Sequence, residues 1–561
     1  MMANLRALER IQGEFGPGLA QRKLELLGAL ERDRLTSAKA VHRLHESLCF
    51  LRAYPDDARV LAAVERLLAG FDRRADLRRF ALELQDSGIA GTEIYYLFFA
   101  EMARWLVRRW PGQVTVSWED FEEGERLERF LQLLVPFAEG SAMEEWTFPL
   151  RRWCERLKGP DETDAAFLVR RFDALDLDPF LREWIYQELQ LPLCLSPGPD
   201  TPARGRAKRP GAPIRFQAGP LDRDRPELAR AVRQVPHAVR TLSRREGTRL
   251  IDMAREAMLT RSRDLDVFSY GNPGDVRLVD WGDGLQFAAI GALPERRLLL
   301  EAVYGFLTLK NGVPIGYVLN SALFGSAEIA YNVFETYRGS EAGLIYGRVL
   351  ATVRQLFGAD SFTIYPYQLG GDGNEEGLAS GAWWFYQKLG FRAKDEHVLR
   401  LMERELARLS KRPGTRTPLA TLRALASENV YWHMGHPRAD VIGVLPLSDV
   451  GFAITARLAQ RFGAEREAAE RECMSEAAAL CGLRSLAGWS HGQKLWWRRW
   501  APLVCVLPGI RRWTPAQRRA LADVIRAKGG RRESDFVRLF DAHRPLRSAV
   551  RRLALGAADG D

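Results

Sequence analysis

Two runs of sequence decide the fold: YGFLTLKNGVPIGYVLN at 304–320 and EIAYNVFETYRGSEAGLIYGRVLATVRQLF at 328–357. In the first, Asn311-Gly312 separates two apolar stretches, a pattern that predicts a β-hairpin with a two-residue turn. In the second, a strand runs into a glycine-containing loop, and the apolar periodicity after the loop predicts a helix. The strand-like SFTIYPY follows at 361–367. The order strand, helix, strand therefore predicts a parallel crossover.

Outward from this core, the composition divides the chain into four parts. Residues 1–195 carry the three- and four-residue apolar spacing of helices, and residues 196–225 are rich in Pro, Gly and Arg, which indicates an exposed, flexible linker. Residues 226–405 show mixed patterns, and residues 406–561 return to helical periodicity. We therefore predict a multidomain α+β protein with a helical N-terminal domain, a central mixed α/β domain and a helical, basic C-terminal domain.

Length and composition exclude several classes of protein. The chain has 561 residues, of which 46% are hydrophobic and 27% charged, so it is not a disordered, collagen-like or small disulfide-stapled protein. No stretch reaches the roughly 18 apolar residues that a membrane span needs, so no transmembrane segment is expected. The six cysteines are scattered without a CxxC pair. This spacing predicts reduced thiols, a cytoplasmic location and no bound metal.

Positive charge is concentrated near the C-terminus. The net charge is +10, and residues 494–552 hold 16 Lys and Arg against 4 Asp and Glu. The segment includes WWRRW at 496–500, and arginine interleaved with tryptophan can bind nucleic acid or an anionic membrane surface. The alternative is a helical domain with tryptophans in its core and a solvated basic face. No zinc-finger, RNP or basic-zipper spacing supports the nucleic-acid interpretation.

Two motifs in the central part resemble one enzyme family. The first is Arg338-Gly339-Ser340-Glu341-Ala342-Gly343, which follows the strand and opens the helix; the second is Ala382 with FYQKLGF at 385–391. Together they resemble the GNAT superfamily of acyl-CoA N-acyltransferases, over about residues 226–405. The resemblance implies a GNAT-like fold in which loop N–H groups and the helix dipole receive the pyrophosphate of CoA.

The resemblance also implies roles for individual residues. Acetyl-CoA or another acyl-CoA would be the acyl donor, with no metal, and Tyr386 would protonate the departing thiolate. Glu328 or Glu335 would accept the proton of an acceptor amine. The alternatives are a packed aromatic for Tyr386 and a solvent-facing strand residue for Glu328. The residues expected to contact the acyl-CoA are Val333 and Phe334, through N–H groups near the thioester carbonyl, and Arg338, Gly339, Ser340, Ala342 and Gly343.

One departure from the family pattern leaves a second function open. Glu341 stands where the family has its central glycine, and its carboxylate would face the pyrophosphate. Like charges ~4 Å apart at an effective dielectric of about 20 repel by about 4 kcal/mol. We expect an N-acyltransferase that acts on an amine carried by a protein, peptide or carrier. The alternative is a degenerate GNAT-like scaffold without catalysis, with an anionic partner at the basic segment.

Overall fold

The first 195 residues are mainly helical in this computed structural model, which describes residues 2–556. Their elements are α1 (Met2–Ile11), α2 (Leu19–Arg32), α3 (Ala38–Ala53), α4 (Ala58–Ala69), α5 (Ala75–Arg79), β1 (Ile94–Tyr96), α6 (Ala100–Arg109), β2 (Val114–Val116), α7 (Gly124–Leu131), α8 (Gly140–Glu145), α9 (Leu150–Leu157), α10 (Asp164–Asp173), α11 (Pro179–Glu188) and β3 (Leu193–Leu195). The three short strands form an antiparallel sheet, which the helical pattern does not predict. Buried apolar side chains form two cores here, one within residues 5–89 and one that lies, apart from Leu259, within 94–195.

Residues 196–225, predicted from their composition to be a linker, contain no helix or strand and are mostly exposed from 210 onward, but they contact both neighbouring parts. The Arg209 N–H donates to the carbonyl oxygen of Gly312 at 2.8 Å. The Gln217 N–H donates to the carbonyl oxygen of Pro55, also at 2.8 Å. Main-chain hydrogen bonds to the N-terminal helices on one side and to the central part on the other hold the segment in place.

The central part contains most of the strands. Its elements are α12 (Leu228–Ala231), β4 (Ala238–Thr241), α13 (Arg244–Leu259), α14 (Asp266–Ser269), β5 (Gly271–Asp280), β6 (Leu285–Ala292), β7 (Ala302–Lys310), β8 (Val313–Leu323), β9 (Ser326–Val333), α15 (Ala342–Phe357), β10 (Ser361–Ile364), α16 (Pro366–Leu369), α17 (Glu375–Ser380), α18 (Ala382–Lys388), β11 (Arg392–Ala393), α19 (Glu396–Lys411), α20 (Leu419–Leu425) and β12 (Val430–His433).

These strands form one nine-stranded mixed sheet in the order β11, β12, β10, β9, β8, β7, β6, β5, β4. Strands β4 to β9 are antiparallel neighbours, whereas β9 and β10 are parallel and joined through α15, which confirms the predicted crossover. Strand β12 enters between β10 and β11. It lies in the region predicted to be wholly helical. The prediction missed this strand because four strand residues before a Gly- and Pro-containing loop are too few to set a period.

The predicted hairpin is confirmed as β7 and β8. Asn311 and Gly312 both have positive φ angles, 52° and 79°, as a two-residue turn that follows the twist of the strands requires. The Asn311 side-chain amide donates to the carbonyl oxygens of Ala53 at 2.8 Å and Arg215 at 3.0 Å. The turn therefore also joins the hairpin to α3 and to the segment 196–225.

The C-terminal helices complete the core of the sheet. They are α21 (Asp449–Phe462), α22 (Arg466–Cys481), α23 (His491–Val506), α24 (Pro515–Lys528), α25 (Glu533–Ala542) and α26 (Arg544–Ala554). Their buried apolar side chains belong to the same hydrophobic cluster as those of the sheet. The C-terminal helices and the sheet therefore share one core and do not form two separately packed units.

The tryptophans of WWRRW are part of this core. Trp496, Trp497 and Trp500 are buried, and the indole N–H groups of Trp496 and Trp500 donate to main-chain oxygens of residues 294 and 299. Their faces are therefore not available for stacking on nucleic-acid bases. None of the helices among residues 2–556 is long and apolar enough to cross a lipid bilayer.

A buried ion pair joins the last helices to the sheet. Lys528 and Glu533 have no exposed side-chain surface, and their Nζ and Oε1 atoms are 2.6 Å apart. The Lys528 ammonium also donates to the carbonyl oxygens of Leu300 and Glu301, at 3.1 and 2.9 Å. All three donors of the ammonium therefore have an acceptor, which offsets the cost of removing its charge from water.

We predict that Lys528→Met lowers the free energy of unfolding by about 3 kcal/mol, because the buried Glu533 carboxylate loses its hydrogen-bonded ammonium and keeps only Arg297, 3.7 Å away, as a cationic neighbour. The double variant with Glu533→Met should lose less than the sum of the two single variants. Urea unfolding followed by circular dichroism measures both. Arg532→Met is the control, since its pair with Asp535 is exposed and worth at most about 1 kcal/mol. Equal losses for Lys528→Met and Arg532→Met would contradict the prediction.

Candidate functional site

The sheet opens between β9 and β10. The two strands pair only from Ser326 opposite Ser361 to Glu328 opposite Thr363. β9 then continues to Val333, whereas β10 ends at Ile364. The last five residues of β9 therefore have no partner strand on the side of β10, and we call this unpaired stretch the cleft.

Main-chain groups of β9 point into this cleft. The Phe334 N–H donates to the carbonyl oxygen of Ile315 at 3.0 Å, which directs it toward β8. Because N–H directions alternate along a strand, the N–H of Val333 points to the opposite side, toward the cleft. Of the two groups that the resemblance implies for the thioester carbonyl, Phe334 is already bonded within the sheet, whereas the Val333 N–H has no acceptor among residues 2–556.

The loop between β9 and α15 ends in a helix N-terminus without a side-chain cap. Within the described chain, no hydrogen-bond acceptor is found for the N–H groups of Ala342 and Gly343. Gly339 has a φ of +78°, and a Cβ there would meet no atom within 4 Å, so the loop is open on that side. Uncapped N–H groups and the dipole of a sixteen-residue helix favour an anion at this point.

The carboxylate of Glu341 does not face this anion site. It lies 2.8 Å from the Lys310 ammonium at the end of β7, and both side chains are almost completely buried. The repulsion expected between Glu341 and a bound pyrophosphate is therefore reduced, because Lys310 neutralises the carboxylate beneath the loop. No sequence pattern signals this pair, since its members are 31 positions apart and on different elements.

The loop is held from below by the N-terminal helices. The Thr336 hydroxyl donates to the Glu46 carboxylate of α3, and the Tyr337 hydroxyl donates to a main-chain oxygen of the same helix at 3.4 Å. The hydroxyl of Ser340 is buried, donates to the carbonyl oxygen of Tyr337 at 2.7 Å and accepts from Tyr54 at 3.3 Å. Ser340 therefore stabilises the loop and is not turned toward a ligand.

Two features partly obstruct the loop. The Arg338 guanidinium forms an ion pair with Glu376, on the helix that follows the Gly-rich segment after β10. On another side, a Cβ on Gly343 would lie 3.0 Å from the carbonyl oxygen of Asp224 and 3.2 Å from Pro226. A side chain at 343 would therefore be tightly packed against the neighbouring segment, and Glu376 competes with a phosphate for the Arg338 guanidinium.

Tyr386 lies on α18, on the α15 face of the sheet. Its ring packs edge-on against Tyr346 and Phe391 at centroid distances of 5.6 and 5.8 Å. Burial raises the pKa of Tyr386, so its hydroxyl stays protonated at neutral pH. The hydroxyl has no hydrogen-bond partner among the described residues and is free to donate.

Glu328 lies on the opposite face of β9. Side chains alternate along a strand, and Tyr331, three residues on, packs against Tyr346 of α15 at 5.3 Å, so Glu328 faces away from α15. Its carboxylate accepts from the Ser321 hydroxyl at 2.9 Å. Burial raises the pKa of Glu328, with the Ser321 hydrogen bond acting in the opposite direction. A carboxylate with a raised pKa is a stronger base for the proton of an amine.

Glu335 has a different position from Glu328. It lies after the end of β9 in a 3-10 turn, is exposed, and its charge acts on His42 of α3. Of the two predicted bases, the structure therefore puts Glu328 on the strand that borders the cleft and Glu335 beside the N-terminal helices. Tyr331 is a residue that the sequence interpretation missed: its hydroxyl donates to the carbonyl oxygen of Ala342 at 3.3 Å, joining β9 to the start of α15.

Comparisons of the chain with protein-family models, with curated proteins and with solved structures found no match. The geometry of the cleft and loop is therefore the basis for a functional proposal.

We predict that Glu341→Gly does not strengthen CoA binding and instead lowers the free energy of unfolding by about 3–5 kcal/mol, because Lys310 loses its buried partner. Urea unfolding and calorimetric titration with CoA measure the two effects. The double variant Lys310→Met/Glu341→Met is the matched control and should recover part of the loss. Tighter CoA binding by Glu341→Gly at unchanged stability would show that the carboxylate does face the ligand.

Proposed function

We propose that this protein is a GNAT-like N-acyltransferase that moves an acyl group from acyl-CoA to an amine. The observation that carries the proposal is the cleft between β9 and β10, which leads to the uncapped start of α15. A strand, a glycine-containing loop, a helix and a parallel strand are the elements that the family resemblance implies. In the proposed complex, the pyrophosphate lies at the N-terminus of α15 and the thioester lies in the cleft.

The proposed mechanism is direct transfer with an acid and a base on opposite faces of the sheet. The amine nitrogen attacks the thioester carbonyl carbon, and the Val333 N–H donates to the oxygen that becomes negative. Glu328 takes the proton that the amine loses. When the tetrahedral intermediate collapses, the carbon–sulfur bond breaks and Tyr386 gives its phenolic proton to the sulfur. The products are an amide and CoA thiol, and transfer of one proton from Glu328 to Tyr386 through solvent restores the enzyme.

The second candidate is a GNAT-like scaffold that does not bind CoA. The ion pair between Arg338 and Glu376 favours it, since the carboxylate partly neutralises the arginine of the loop. The contact of Asp224 and Pro226 with Gly343 also reduces the space beside the helix start. Binding of acyl-CoA separates the two candidates, because a scaffold has no use for the donor.

We predict that acetyl-CoA binds with a Kd in the micromolar range, measured by calorimetry on the full chain. Glu376→Gln should bind several-fold more tightly, because Arg338 is then free to pair with phosphate. Arg423 pairs with Glu375, one position away on the same helix, so Glu375→Gln is a matched control that leaves Arg338 unchanged. Absence of binding in the wild type and in Glu376→Gln would exclude the transferase and support the scaffold.

We predict that Tyr386→Phe and Glu328→Gln each lower kcat by at least about 100-fold with little change in acetyl-CoA affinity. Thiol release from acetyl-CoA in the presence of a panel of amines measures kcat. In the wild type, kcat/KM should fall as the pH drops through the raised pKa of Glu328, because a protonated carboxyl cannot accept a proton. The Glu328→Gln variant should lack this acidic limb. An unchanged acidic limb in that variant would assign the base to another group.

A further inference from the structure

A cavity of about 520 Å³ lies away from the cleft, at the β4 edge of the sheet. Strands β4 and β5, helix α13, the end of α6 and the segment 206–210 surround it. Its volume is within the usual range for small-molecule sites, roughly 300–1,000 Å³. Six cationic side chains line it: Arg109, Arg206, Lys208, Arg209, Arg240 and Arg249.

Four of the six cations already have a carboxylate partner. Arg240 pairs with Glu246 at 2.7 Å, and Arg109 pairs with Asp252 at 3.3 Å. Lys208 pairs with Glu65 at 2.5 Å and Arg206 pairs with Asp72 at 3.9 Å, and both of these carboxylates lie outside the cavity. These pairs fix the side chains in place and leave donors on the Arg240 and Arg109 guanidinium groups for a further acceptor.

The remaining cations make the cavity positive. Arg209 is partly buried and donates to the Gln286 side-chain oxygen at 3.0 Å, but its buried Nε has no acceptor in the described part of the chain. Burial and the nearby charge of Arg240 lower the pKa of Arg209. Arg249 is exposed, and no carboxylate among the described residues pairs with it. The guanidinium groups of Arg209 and Arg240 repel each other, and an anion placed between them would relieve that repulsion.

The acidic side chains of the cavity do not cancel this charge. Glu246, Asp252 and Glu256 are three carboxylates against six cations. Burial raises the pKa of Glu256 to about 7, and the adjacent charge of Asp252 adds to the rise. Glu256 therefore carries only part of its negative charge at neutral pH, and the positive surplus of the cavity comes from Arg209 and Arg249, because each of the other four cations pairs with a carboxylate.

The floor of the cavity is apolar. Leu242, Leu250, Met253 and Leu278 contribute it, and each is buried in the fold. A ligand that consists only of phosphate would leave this floor unused. A planar or apolar group would cover the small apolar area that these side chains still expose to the cavity and would lie against guanidinium groups that stack well on rings.

We propose that this cavity binds a small organic phosphate, with the phosphate held by Arg209, Arg240 and Arg249 and an apolar or aromatic body on the leucine and methionine floor. Four strand spacings separate β5 from β9, about 19 Å, so the site is distinct from the cleft. The proposal does not depend on the acyltransferase proposal, and either one holds or fails without the other.

Calorimetric titration of the full chain with ADP and with inorganic pyrophosphate tests the site. We expect saturable ADP binding that is at least threefold tighter than pyrophosphate binding and that weakens as salt rises. Arg240→Ala and Arg249→Ala should each weaken ADP binding about tenfold. Arg245→Ala is the matched control, because Arg245 is exposed on the same helix outside the cavity. The affinity of this variant for ADP should differ less than twofold from that of the wild type.

ADP also contains a pyrophosphate group that the α15 loop is expected to attract, so Arg338→Glu separates the two sites. ADP binding that persists in Arg338→Glu and weakens in Arg249→Ala supports the cavity site. The proposal is overturned if Arg338→Glu abolishes ADP binding while Arg249→Ala leaves it unchanged. It is also overturned if the wild type does not bind ADP. Equal affinity for ADP and pyrophosphate overturns the role of the apolar floor. Binding of an RNA oligonucleotide without ADP binding overturns the small-molecule assignment.

Discussion

The unequal lengths of two parallel strands determine the arrangement of the candidate site. β9 runs eight residues and β10 only four, so their hydrogen-bonded ladder stops after three residue pairs. Beyond that point the main-chain groups of β9 need acceptors and donors that the protein does not supply from β10. The opening connects the α15 face, with Tyr386, to the face that carries Glu328. A longer β10 would continue the ladder along β9 and close the connection between the two faces.

The electrostatics around the loop depend on charges that lie below it. Glu341 occupies the N-cap position of α15 but turns its carboxylate to Lys310, so the helix start remains uncapped. The usual role of an N-cap side chain is to accept from the first N–H groups of its helix. Here that role is left open, and the cost of a buried carboxylate is offset by an ammonium from a neighbouring strand. The arrangement leaves main-chain donors available without a negative charge in front of them.

The sequence predicts what depends on local patterns and misses what depends on distant partners. Asn311-Gly312 specifies the hairpin, and apolar periodicity specifies α15 and the crossover, because turn chemistry and side-chain period act over a few residues. The strands β1, β2, β3 and β12 have only three or four residues, too few to set a period. The main-chain hydrogen bonds of residues 196–225 and the ion pair of Lys310 with Glu341 are contacts between elements that are distant in the sequence. The motifs place Tyr386 and Glu328 on their elements, but which face each occupies follows only from the sheet.

The shared core of the sheet and the C-terminal helices has a consequence for synthesis of the chain on the ribosome. Helix α25 packs against β7 and β8, so their apolar side chains stay uncovered until the last helices have been made. The hairpin turn has its partners, Ala53 and Arg215, long before that moment. The turn of the hairpin is therefore held in place early, while the face of β7 and β8 that α25 later covers remains exposed to water. Nascent chains of this protein pass through a long interval in which molecular chaperones have an apolar sheet surface to bind.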